Sequence, residues 1–424
     1  MKSFLSKFNR FPIEEYYIYI IASYFLLFIS LRILVGGSLE RDEAEQILLT
    51  QRFAFGYGTQ PPLYAWLQSA LFALFGKSLF ALALLKNTLL FIAYYFIYKS
   101  AYILTNNRAT AAVTTASMVF IPSCSWECQR DLTHTVLACA LASLTLVWVL
   151  RMRNLHKNSL ADYAFLGLLI ALGSLSKYNY ILLPSALLIV SSFDAPLRRL
   201  LLSYKFLLTI FVFAIVVFPH FQWVLTHLSE AMNGTLNKIH SGSKKTHLEL
   251  LEKFILSFAE LFVIYFLIYL SFFSKAIKNN SDTFLKKLVF VLFFLLLFIL
   301  LFLSANRVDS RWFVVLLFPV VILLSTKLDS SLISSVRYYL YLSIFFMFII
   351  ISVYLFRFYS PDSFRDAPRF NFPYLKIFNS LHLNRYNNVY SPSSLCSGNL
   401  KFISSTTNIL KPVNTLLANS FFII

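Results

Sequence analysis

The chain has 424 residues, of which 58% are hydrophobic and 13% are charged, and its formal net charge is +18. A water-soluble protein of this length would expose far more charge, so the composition excludes a soluble globular domain and predicts a polytopic membrane protein. Repeated apolar runs of about 20 residues match helices that cross a hydrocarbon core about 30 Å thick. Their spacing does not resemble the alternation of barrel strands, so we predict an all-α fold.

The apolar runs predict a bundle of about 11 transmembrane helices, within a range of about 9 to 13. They lie near residues 16–35, 79–98, 109–122, 132–150, 162–174, 179–193, 203–224, 251–273, 284–304, 311–326 and 337–356. The range reflects several short runs. One further run, 62–75, starts at a Pro-Pro pair and is short for a span. It is predicted to be a re-entrant or interfacial helix, or a further span paired with 79–98.

The distribution of charge predicts the orientation. The basic residues lie in short loops between spans, where they orient a membrane protein, and this pattern argues against nucleic-acid binding. With the N-terminus in the cytoplasm, the inner loops carry about three times as many cations as acids, whereas the outer loops carry similar numbers. The first outer loop, 36–61, is then extracytoplasmic. The start of the chain shows no secretory signal pattern, so the first apolar run is expected to remain as an anchor.

Composition also divides the chain into a transmembrane region, 1–357, and a small C-terminal region, 358–424, in which Pro, Asn and Ser rise. An odd number of spans places this C-terminal region outside the cell. The stretch "NNVYSPSSLCSGNLKFISS" predicts a strand, a turn and a helix of a small capping domain with a thin core. The polar segment 225–250 is long enough for a mobile loop. Cys124 and Cys128 are expected to be buried thiols, with a disulfide as the alternative.

Acidic residues cluster directly after the first span, at Glu40, Asp42, Glu43 and Glu45. One explanation is a solvated helix start, because acids near the beginning of a helix over 42–55 are favoured by its dipole. The apolar side of that helix would lie on the membrane surface. Asp42 would then sit near the lipid headgroups, which is where a general base acting on a lipid-borne substrate is needed.

A second cluster opens the span near 132–150 and consists of Arg130, Asp131 and His134. A helix cap explains Asp131, and a neutral, hydrogen-bonded ring is more common than a catalyst for a residue such as His134. The functional alternative is a polar site at the membrane boundary.

Cations form the third group, on two further outer turns. Lys177 and Tyr178 lie between two short apolar runs, where a snorkelling lysine and a phosphate ligand are both reasonable. Arg307 and Arg311 flank Asp309. Their spacing of four would place both guanidinium groups on one side of a helix, able to clamp a phosphate. Together these turns predict a site for an anionic lipid headgroup on the outer rim.

The sequence resembles bacterial membrane glycosyltransferases of the GT-C class. The branch is the one related to protein O-mannosyltransferases and to the aminoarabinose transferase of lipid A, often called glycosyltransferase family 39. The resemblance covers about residues 10–356 and is carried by "RDEAEQ", "QPPLYAW", "RDLTH", "GSLSKYNYILLP" and "RWFVVLLFPVVILL". It implies a GT-C-like bundle with interfacial helices on its outer face. It also implies an enzyme of the bacterial cytoplasmic membrane that transfers one sugar, with inversion, from a polyprenyl-phosphate carrier to a lipid, glycan or protein acceptor outside the cytoplasm.

The resemblance also implies roles for particular residues. Asp42 matches the carboxylate that deprotonates or positions the acceptor hydroxyl, Glu43 is its neighbour, and Asp131 is a second acidic site near the sugar. The substrate-binding residues implied are Lys177, Tyr178, Arg307, Arg311, Arg130, His134 and Gln60, with Lys177 and the two later arginines on the carrier phosphate. Gln60 stands where the aminoarabinose branch usually has Lys. That difference removes a phosphate-binding cation and argues against an aminoarabinose donor.

The chemistry is consistent without the family. A lipid phosphate leaves easily and needs cations more than a general acid, and attack by a hydroxyl needs one base. A retaining double displacement through a second carboxylate stays open. The sequence contains no Asp-x-Asp motif, in agreement with a lipid donor. A divalent cation bridging Asp42 and the phosphate is compatible with the site, although the ligands are too few to require one.

Two other functions compete with the transferase. A lipid or sugar transporter or flippase would place ionisable residues at mid-membrane, in repeated halves of the chain. Arg32, Lys86 and Glu260 lie within or beside spans, yet no internal repeat is evident. A structural scaffold would tolerate the loss of Asp42.

Overall fold

The computed structural model describes residues 12–155, 157–243, 245–273, 283–316, 318–328, 333–359, 372–385, 388–391, 393–404, 408–410 and 422–423. The basic residues of 1–11 and 274–282, which contribute to the predicted orientation, lie outside the described residues, as does most of the apolar C-terminal end.

The described chain is almost entirely helical, which confirms the all-α prediction. Its α-helices are α1 (Ile13–Leu34), α2 (Arg41–Leu49), α3 (Leu63–Phe75), α4 (Leu79–Thr105), α5 (Arg108–Ser117), α6 (Cys128–Arg130), α7 (Thr133–Asn154), α8 (Leu160–Ser174), α9 (Leu182–Ser191), α10 (Ala195–Leu201), α11 (Phe206–Thr226), α12 (Leu228–Ile239), α13 (His247–Phe273), α14 (Thr283–Phe302), α15 (Phe318–Ser325), α16 (Ile333–Tyr359), α17 (Tyr374–Ser380) and α18 (Ser394–Ile403). The three short strands are β1 (Asn388–Tyr390), β2 (Asn408–Leu410) and β3 (Phe422–Ile423).

Among the described residues, 7 helices are long and apolar enough to cross a membrane: α1, α4, α7, α11, α13, α14 and α16. An eighth span results if the segment Tyr178–Ser191 and α10, bent by 112°, are counted as one. Two predicted spans are broken instead. The run 109–122 ends its α-helix at Ser117, ahead of Pro122, and 311–326 consists of two 3₁₀ turns before α15. Proline explains both breaks, because it removes a backbone donor inside a helix and favours the first turn of a new one.

The bundle is built around α4, which packs against α1, α5 and α7. The last span, α16, packs on α1 and α5, so the two ends of the transmembrane region are neighbours. On the other side, α8 packs against α7 and α11. A Cβ on Gly167 of α8 would lie 2.5 Å from the carbonyl oxygen of Thr209. The small residue therefore permits the close backbone approach common between membrane helices.

Helix α3 is a short apolar helix that precedes the long span α4. Its 13 residues extend about 20 Å, short of a bilayer core. At its start the Leu63 N–H donates to the carbonyl of Leu175 at 3.0 Å. Further along, Phe72 packs with Leu39 and Ala44, on the loop after α1 and on α2. The helix is therefore too short to count as the additional span, and its re-entrant or interfacial placement stays a prediction.

Polar contacts sort the loops into the two groups predicted from charge. Pairs at one end are Arg337–Glu14 at 3.1 Å, Arg151–Asp162 at 3.3 Å and Arg153–Asp194 at 2.9 Å. Contacts at the other end join Asp42 to Thr133, His134 to Ser176 and Arg311 to Glu127. We call the second end the rim. The sorting agrees with the sequence, while the side of the membrane that each end faces stays a prediction.

The mobile loop expected over 225–250 is wrong. Residues Leu228–Ile239 form α12, and α13 begins at His247. The backbone N–H groups of Asn306 and Arg307 donate to the Ile239 carbonyl, at 3.0 and 3.1 Å. A helix forms because the segment carries apolar residues at helical intervals, a pattern that its polarity conceals.

In the C-terminal region, β1 and α18 confirm the predicted strand and helix. The strands form a parallel sheet in the order β2-β1-β3, with Val389 opposite Ile409 and Phe422. All four cysteines are free thiols and Cys124 and Cys128 are buried, so the disulfide alternative is wrong.

Candidate active site

Helix α2 presents the acidic cluster, and it is shorter than the predicted 42–55. At its start the Glu43 carboxylate accepts the backbone N–H of Glu40 at 2.9 Å. It ends at Leu49 because the next residues are held in a turn. There the Tyr57 hydroxyl donates to the Arg52 carbonyl at 3.0 Å and accepts the Ala54 N–H at 3.1 Å.

The apolar side of α2 packs on protein, so the predicted contact with the membrane surface is wrong. Ala44 and Ile47 are fully buried, and α2 lies against α18 of the C-terminal region. Asn399 of α18 binds the residue before the acidic cluster: its Oδ1 accepts the Leu39 N–H at 2.7 Å and its Nδ2 donates to the Leu39 carbonyl at 3.4 Å. The C-terminal region therefore fixes where α2 begins.

Asp42 is half-buried and lies at the N-terminus of α7. Its Oδ2 accepts the backbone N–H of Thr133 at 3.1 Å. The carboxylate thus occupies the position where a helix start favours negative charge. Burial raises the pKa of Asp42, and the charge of Asp131 raises it further, whereas the Thr133 N–H and the charge of Lys86 lower it. The net direction is upward, which makes Asp42 a stronger base than an exposed aspartate.

Asp131 lies beside Asp42 but does not cap α7. The N-cap residue is Leu132, in the left-handed region at φ 65°. Such a conformation costs a non-glycine residue about 1–2 kcal/mol, and strain of this kind is common at functional sites. Asp131 is only 6% exposed, and its Oδ2 accepts the Arg130 Nε–H at 2.9 Å. The cap explanation for Asp131 is therefore wrong.

The other two buried acids of the cluster are bound by arginines from transmembrane helices. Arg32 of α1 donates to both oxygens of Glu43, at 3.0 and 2.6 Å. Burial raises the pKa of Glu43, but the charge and hydrogen bonds of Arg32, with smaller contributions from Lys86, outweigh it and lower the pKa to about 2. Arg357 of α16 donates to both oxygens of Glu40. Each pair is buried and anchors α2 to a span.

Lys177 reaches the same site from the turn after α8. Its Nζ donates to the Thr135 hydroxyl at 2.6 Å, within the first turn of α7. Burial lowers the pKa of Lys177, and the negative charges of Asp42 and Asp309 are among the groups that oppose this. The ammonium group therefore lies within the electrostatic reach of the candidate base.

His134 connects the elements that carry these groups. Its Nε2 is 3.3 Å from the amide nitrogen of Gln46 on α2, and its Nδ1 is 3.3 Å from the Ser176 carbonyl. The Tyr64 ring of α3 lies against it, with centroids 5.5 Å apart. A Gln46 amide that donates to Nε2 requires the Nδ1–H tautomer, so the hydrogen-bonded neutral ring fits His134.

Tyr178 and Gln60 lie further along the rim. The Tyr178 hydroxyl is 3.4 Å from Nε2 of His220, whose Nδ1 is 2.6 Å from the Phe55 carbonyl. Gln60 closes the turn after α2 by exchanging both backbone hydrogen bonds with Tyr57, each at 3.2 Å. The structure thus gives Gln60 a backbone role in the first outer loop.

The helical spacing expected for Arg307 and Arg311 is wrong. Asp309 accepts the backbone N–H of Arg311 at 3.1 Å and starts a 3₁₀ turn only at Ser310. Arg307 pairs with Asp309 at 3.3 Å, and Arg311 with Glu127 at 3.7 Å. Their side chains are 57% and 43% exposed, so both guanidinium groups remain accessible on the rim.

The structure brings Asp42, Asp131, His134 and Lys177 together, and it leaves Arg307, Arg311, Tyr178 and Gln60 around them. Sequence reasoning did not assign roles to Lys86, Arg357, Asn399 or His220. A charge inside a span was the available signal for Lys86, whereas the partners of Asn399 are visible only in three dimensions. In the described part of the chain, no group of three or more His, Cys, Asp or Glu residues could hold a metal ion.

Residues 59–223 match the model of the family described as Dolichyl-phosphate-mannose-protein mannosyltransferase. The match includes Gln60, Asp131 and Lys177 and begins after Asp42.

Two curated relatives come from Rhizobium johnstonii. The chain is 33% identical to lipopolysaccharide core galacturonosyltransferase RgtB over 322 residues, which cover 74% of this chain and 65% of the relative. It is 38% identical to lipopolysaccharide core galacturonosyltransferase RgtA over 239 residues, or 56% of this chain and 48% of the relative. The chain therefore spans about half to two thirds of the length of these relatives.

Among solved structures, the chain is similar to ArnT from Cupriavidus metallidurans. The form bound to undecaprenyl phosphate gives a TM-score of 0.54 at 16% identity, covering 73% of this chain and 59% of that one. The apo form gives 0.52 at 18% identity with the same coverage. These similarities show the fold, so the GT-C-like membrane bundle inferred from the sequence is confirmed.

Proposed function

We propose that this multi-pass membrane protein transfers one sugar from a polyprenyl-phosphate carrier to a lipid or glycan acceptor, with inversion, at the outer face of the bacterial cytoplasmic membrane. The observation that carries the proposal is the placement of Asp42. Its carboxylate has a raised pKa and lies at the start of α7, within the electrostatic reach of the Lys177 ammonium group. A base beside a phosphate-binding cation is what attack on a lipid-phosphate sugar requires.

The proposed reaction is a single displacement. Asp42 accepts the proton of the acceptor hydroxyl as that oxygen forms a bond to the anomeric carbon. The bond from the anomeric carbon to the carrier phosphate oxygen breaks on the opposite side, and its electron pair leaves with the lipid phosphate. Lys177 and the accessible guanidinium groups of Arg307 and Arg311 stabilise the charge that develops there. Asp131, already bound by Arg130, lies near the sugar.

For the sugar and the acceptor, we propose galacturonic acid and a lipopolysaccharide core. The names of the two relatives support this choice, as does Gln60, which replaces the lysine expected for an aminoarabinose donor. A protein acceptor, which the sequence also allowed, has no comparable support in these names.

The transporter alternative has no support from the placement of the intramembrane charges. Arg32 binds Glu43, and Lys86 donates to the Arg130 carbonyl at 3.2 Å. Both cations therefore contribute to the acidic cluster at the rim. They do not form a polar path through the described bundle.

The proposal is tested with purified protein in vesicles, supplied with a radiolabelled polyprenyl-phosphate galacturonic acid and lipopolysaccharide core. We expect Asp42→Asn to lower transfer by about 10²–10⁴-fold, the usual contribution of a general base. Asp42→Glu is expected to retain part of the activity because it keeps the carboxylate.

The control is Glu252→Gln, which neutralises an exposed carboxylate at the start of α13. It should transfer at the wild-type rate. Unchanged transfer by a folded Asp42→Asn protein would remove Asp42 as the base. Transfer of a different sugar in a donor panel would replace galacturonic acid but leave the reaction type in place.

A further inference from the structure

A small cavity beside α2 is lined by both apolar and charged side chains. The proposed reaction uses only some of the charged groups in this part of the molecule. The cavity lining includes Arg32, Glu40, Glu43, Lys86, Asn87 and Gln129. Glu43 and Glu40 each face an arginine, as described above. Lys86 has no such dedicated carboxylate among its hydrogen bonds in the described chain.

Lys86 occupies a position where an ammonium group is costly. It lies within the spanning helix α4 and is only 5% exposed. Its hydrogen bond there goes to a neutral acceptor, the Arg130 carbonyl, at 3.2 Å. A buried cation persists only where nearby negative charge compensates for its lost hydration. That negative charge comes from Asp42 and Glu43, whose ionised forms Lys86 stabilises.

The two carboxylates differ in how much they need this cation. Glu43 has Arg32 in direct contact on both oxygens, so its ionisation is already secured. Asp42 accepts from the backbone N–H groups of Thr133 and Leu132 and not from an arginine in its described contacts, and it faces the charge of Asp131. An added positive charge therefore changes the ionisation of Asp42 more than that of Glu43.

We propose that Lys86 is a positioning residue for the transfer reaction: its buried charge keeps Asp42 ionised beside Asp131, so that Asp42 acts as a base at neutral pH. This inference rests on the proposed function. Among the described residues, the other charged and titratable groups on the elements around Asp42 are Asp131 and Arg130 before α7, His134 on α7, Lys177 after α8, Tyr64 on α3, Glu43 with Arg32 of α1, and Glu40 with Arg357 of α16. Lys86 is the member of this set that α4 contributes.

Lys86 also contacts the segment that leads into α7, through its hydrogen bond to Arg130. The carbonyl that Lys86 binds belongs to Arg130, whose guanidinium group binds Asp131. The same ammonium group therefore fixes the backbone immediately before Asp131. Substitutions of Lys86 can remove its charge while they keep a donor for this hydrogen bond.

The test measures kcat/KM against pH for wild type, Lys86→Gln and Lys86→Arg in the vesicle assay. Glutamine keeps a donor for the Arg130 carbonyl but removes the charge, whereas arginine keeps the charge. Removing a nearby cation favours the protonated form of Asp42. We therefore expect the acidic limb of the Lys86→Gln profile to move to higher pH by about one unit or more, and Lys86→Arg to restore it.

The sign of this change distinguishes the proposal from a structural role. If the cation acts on ionisation, the loss of activity in Lys86→Gln is largest at low pH and recovers at high pH. A uniform loss with the acidic limb in its wild-type position would overturn the proposal. Loss of folding in both Lys86→Gln and Lys86→Met, with Lys86→Arg folded, would assign the charge to stability and overturn it as well.

The matched control is Lys99→Gln, on the same helix. Lys99 lies over the Tyr95 ring, 5.6 Å from its centroid, and is remote from the rim. Its profile should superimpose on the wild type. Failure of the proposed function is separately visible, because wild-type protein would then transfer no sugar at any pH.

Discussion

Glu40 and Glu43 lie on the same turn, and each is bound by an arginine from a different span. Glu40 and Arg357 are separated by 317 residues in sequence, and Glu43 and Arg32 by 11. Asp42, between them, binds a backbone N–H instead. Arg32 lowers the pKa of Glu43, whereas burial raises the pKa of Glu40 although Arg357 opposes it. Both glutamates are fixed in place by an arginine and suit anchoring, and Asp42 suits proton transfer.

At the residue scale, Arg357→Met should lower stability strongly. The substitution leaves Glu40 buried without the cation that it faces, and breaking a buried ion pair in this way costs about 3–5 kcal/mol. The measurement is thermal unfolding of the purified protein in detergent. The control is Arg108→Met, which removes an exposed pair with Glu15 and should change the melting temperature little.

The double variant Glu40→Gln/Arg357→Met removes both charges of the pair and so distinguishes the loss of the ion pair from the cost of an uncompensated buried charge. It should recover part of the stability, because the uncompensated charge is gone. Equal melting temperatures for Arg357→Met and Arg108→Met would refute the anchoring role.

Lys177→Ala is expected to act on the donor. Losing a charge-assisted hydrogen bond to phosphate costs about 1.5–3 kcal/mol, which corresponds to about a tenfold or greater rise in the KM for the polyprenyl-phosphate sugar. Lys177→Arg should keep most of the affinity. The control, Lys253→Ala, removes an exposed lysine at the start of α13 and should leave the KM unchanged. A Lys177→Ala protein with wild-type donor KM would contradict the phosphate role.

These residues also show which parts of the site can be predicted from the sequence. Asp42 and Lys177 stand out because charge beside an apolar run is rare and has a stated chemical use. The pairing of Arg357 with Glu40 cannot be predicted in this way, because no local sequence pattern connects positions separated by more than 300 residues. The spacing of Arg307 and Arg311 predicts that both lie on one side of a helix. That prediction is wrong because the helical turn begins only after Asp309, at Ser310.

At the scale of elements, the contact between α2 and α18 has the most direct consequence for the site. Gly398 lies against the backbone of α2, and a Cβ there would be 2.3 Å from the Ala44 carbonyl oxygen. Neither backbone can give way without moving α2. The C-terminal region therefore sets the position of Asp42 even though it contributes no group to the proposed reaction.

Gly398→Ala is accordingly expected to lower kcat by about tenfold to a hundredfold, the usual cost of misplacing a reacting group by about 1 Å. Gly37→Ala is the matched control, because a Cβ there meets nothing within 4 Å. Rates are measured in the vesicle assay at saturating donor, with thermal unfolding as a check on folding. Wild-type kcat in Gly398→Ala would show that α18 does not position α2.

Elements differ in how well the sequence predicts them. The seven long spans follow from length and hydropathy, which the bilayer imposes on any crossing helix. Helix α12 was predicted as a loop because its polar face dominates the composition. The packing of α18 on α2 depends on the absence of a side chain at Gly398, and a single glycine carries no signal for its partner.

For the whole molecule, the two ends of the bundle have different chemistry. The rim holds Asp42, Asp131, Lys177 and the accessible arginines. The opposite end holds ion pairs such as Arg153–Asp194 at 2.9 Å. The excess of cations at that end predicts that it faces the cytoplasm, which leaves the rim to meet a lipid-linked donor on the outer surface.

Cysteine labelling in intact cells tests this orientation. In a background that lacks the four native cysteines, Arg52→Cys reports on the rim and Asn154→Cys on the opposite end, both at exposed positions. A membrane-impermeant maleimide is expected to label Arg52→Cys directly and Asn154→Cys only after the cells are opened. The physical reason is that cationic loops are retained on the cytoplasmic side during insertion. Labelling in the reverse order would place Asp42 in the cytosol, where a sugar donor presented on the outer leaflet is out of its reach.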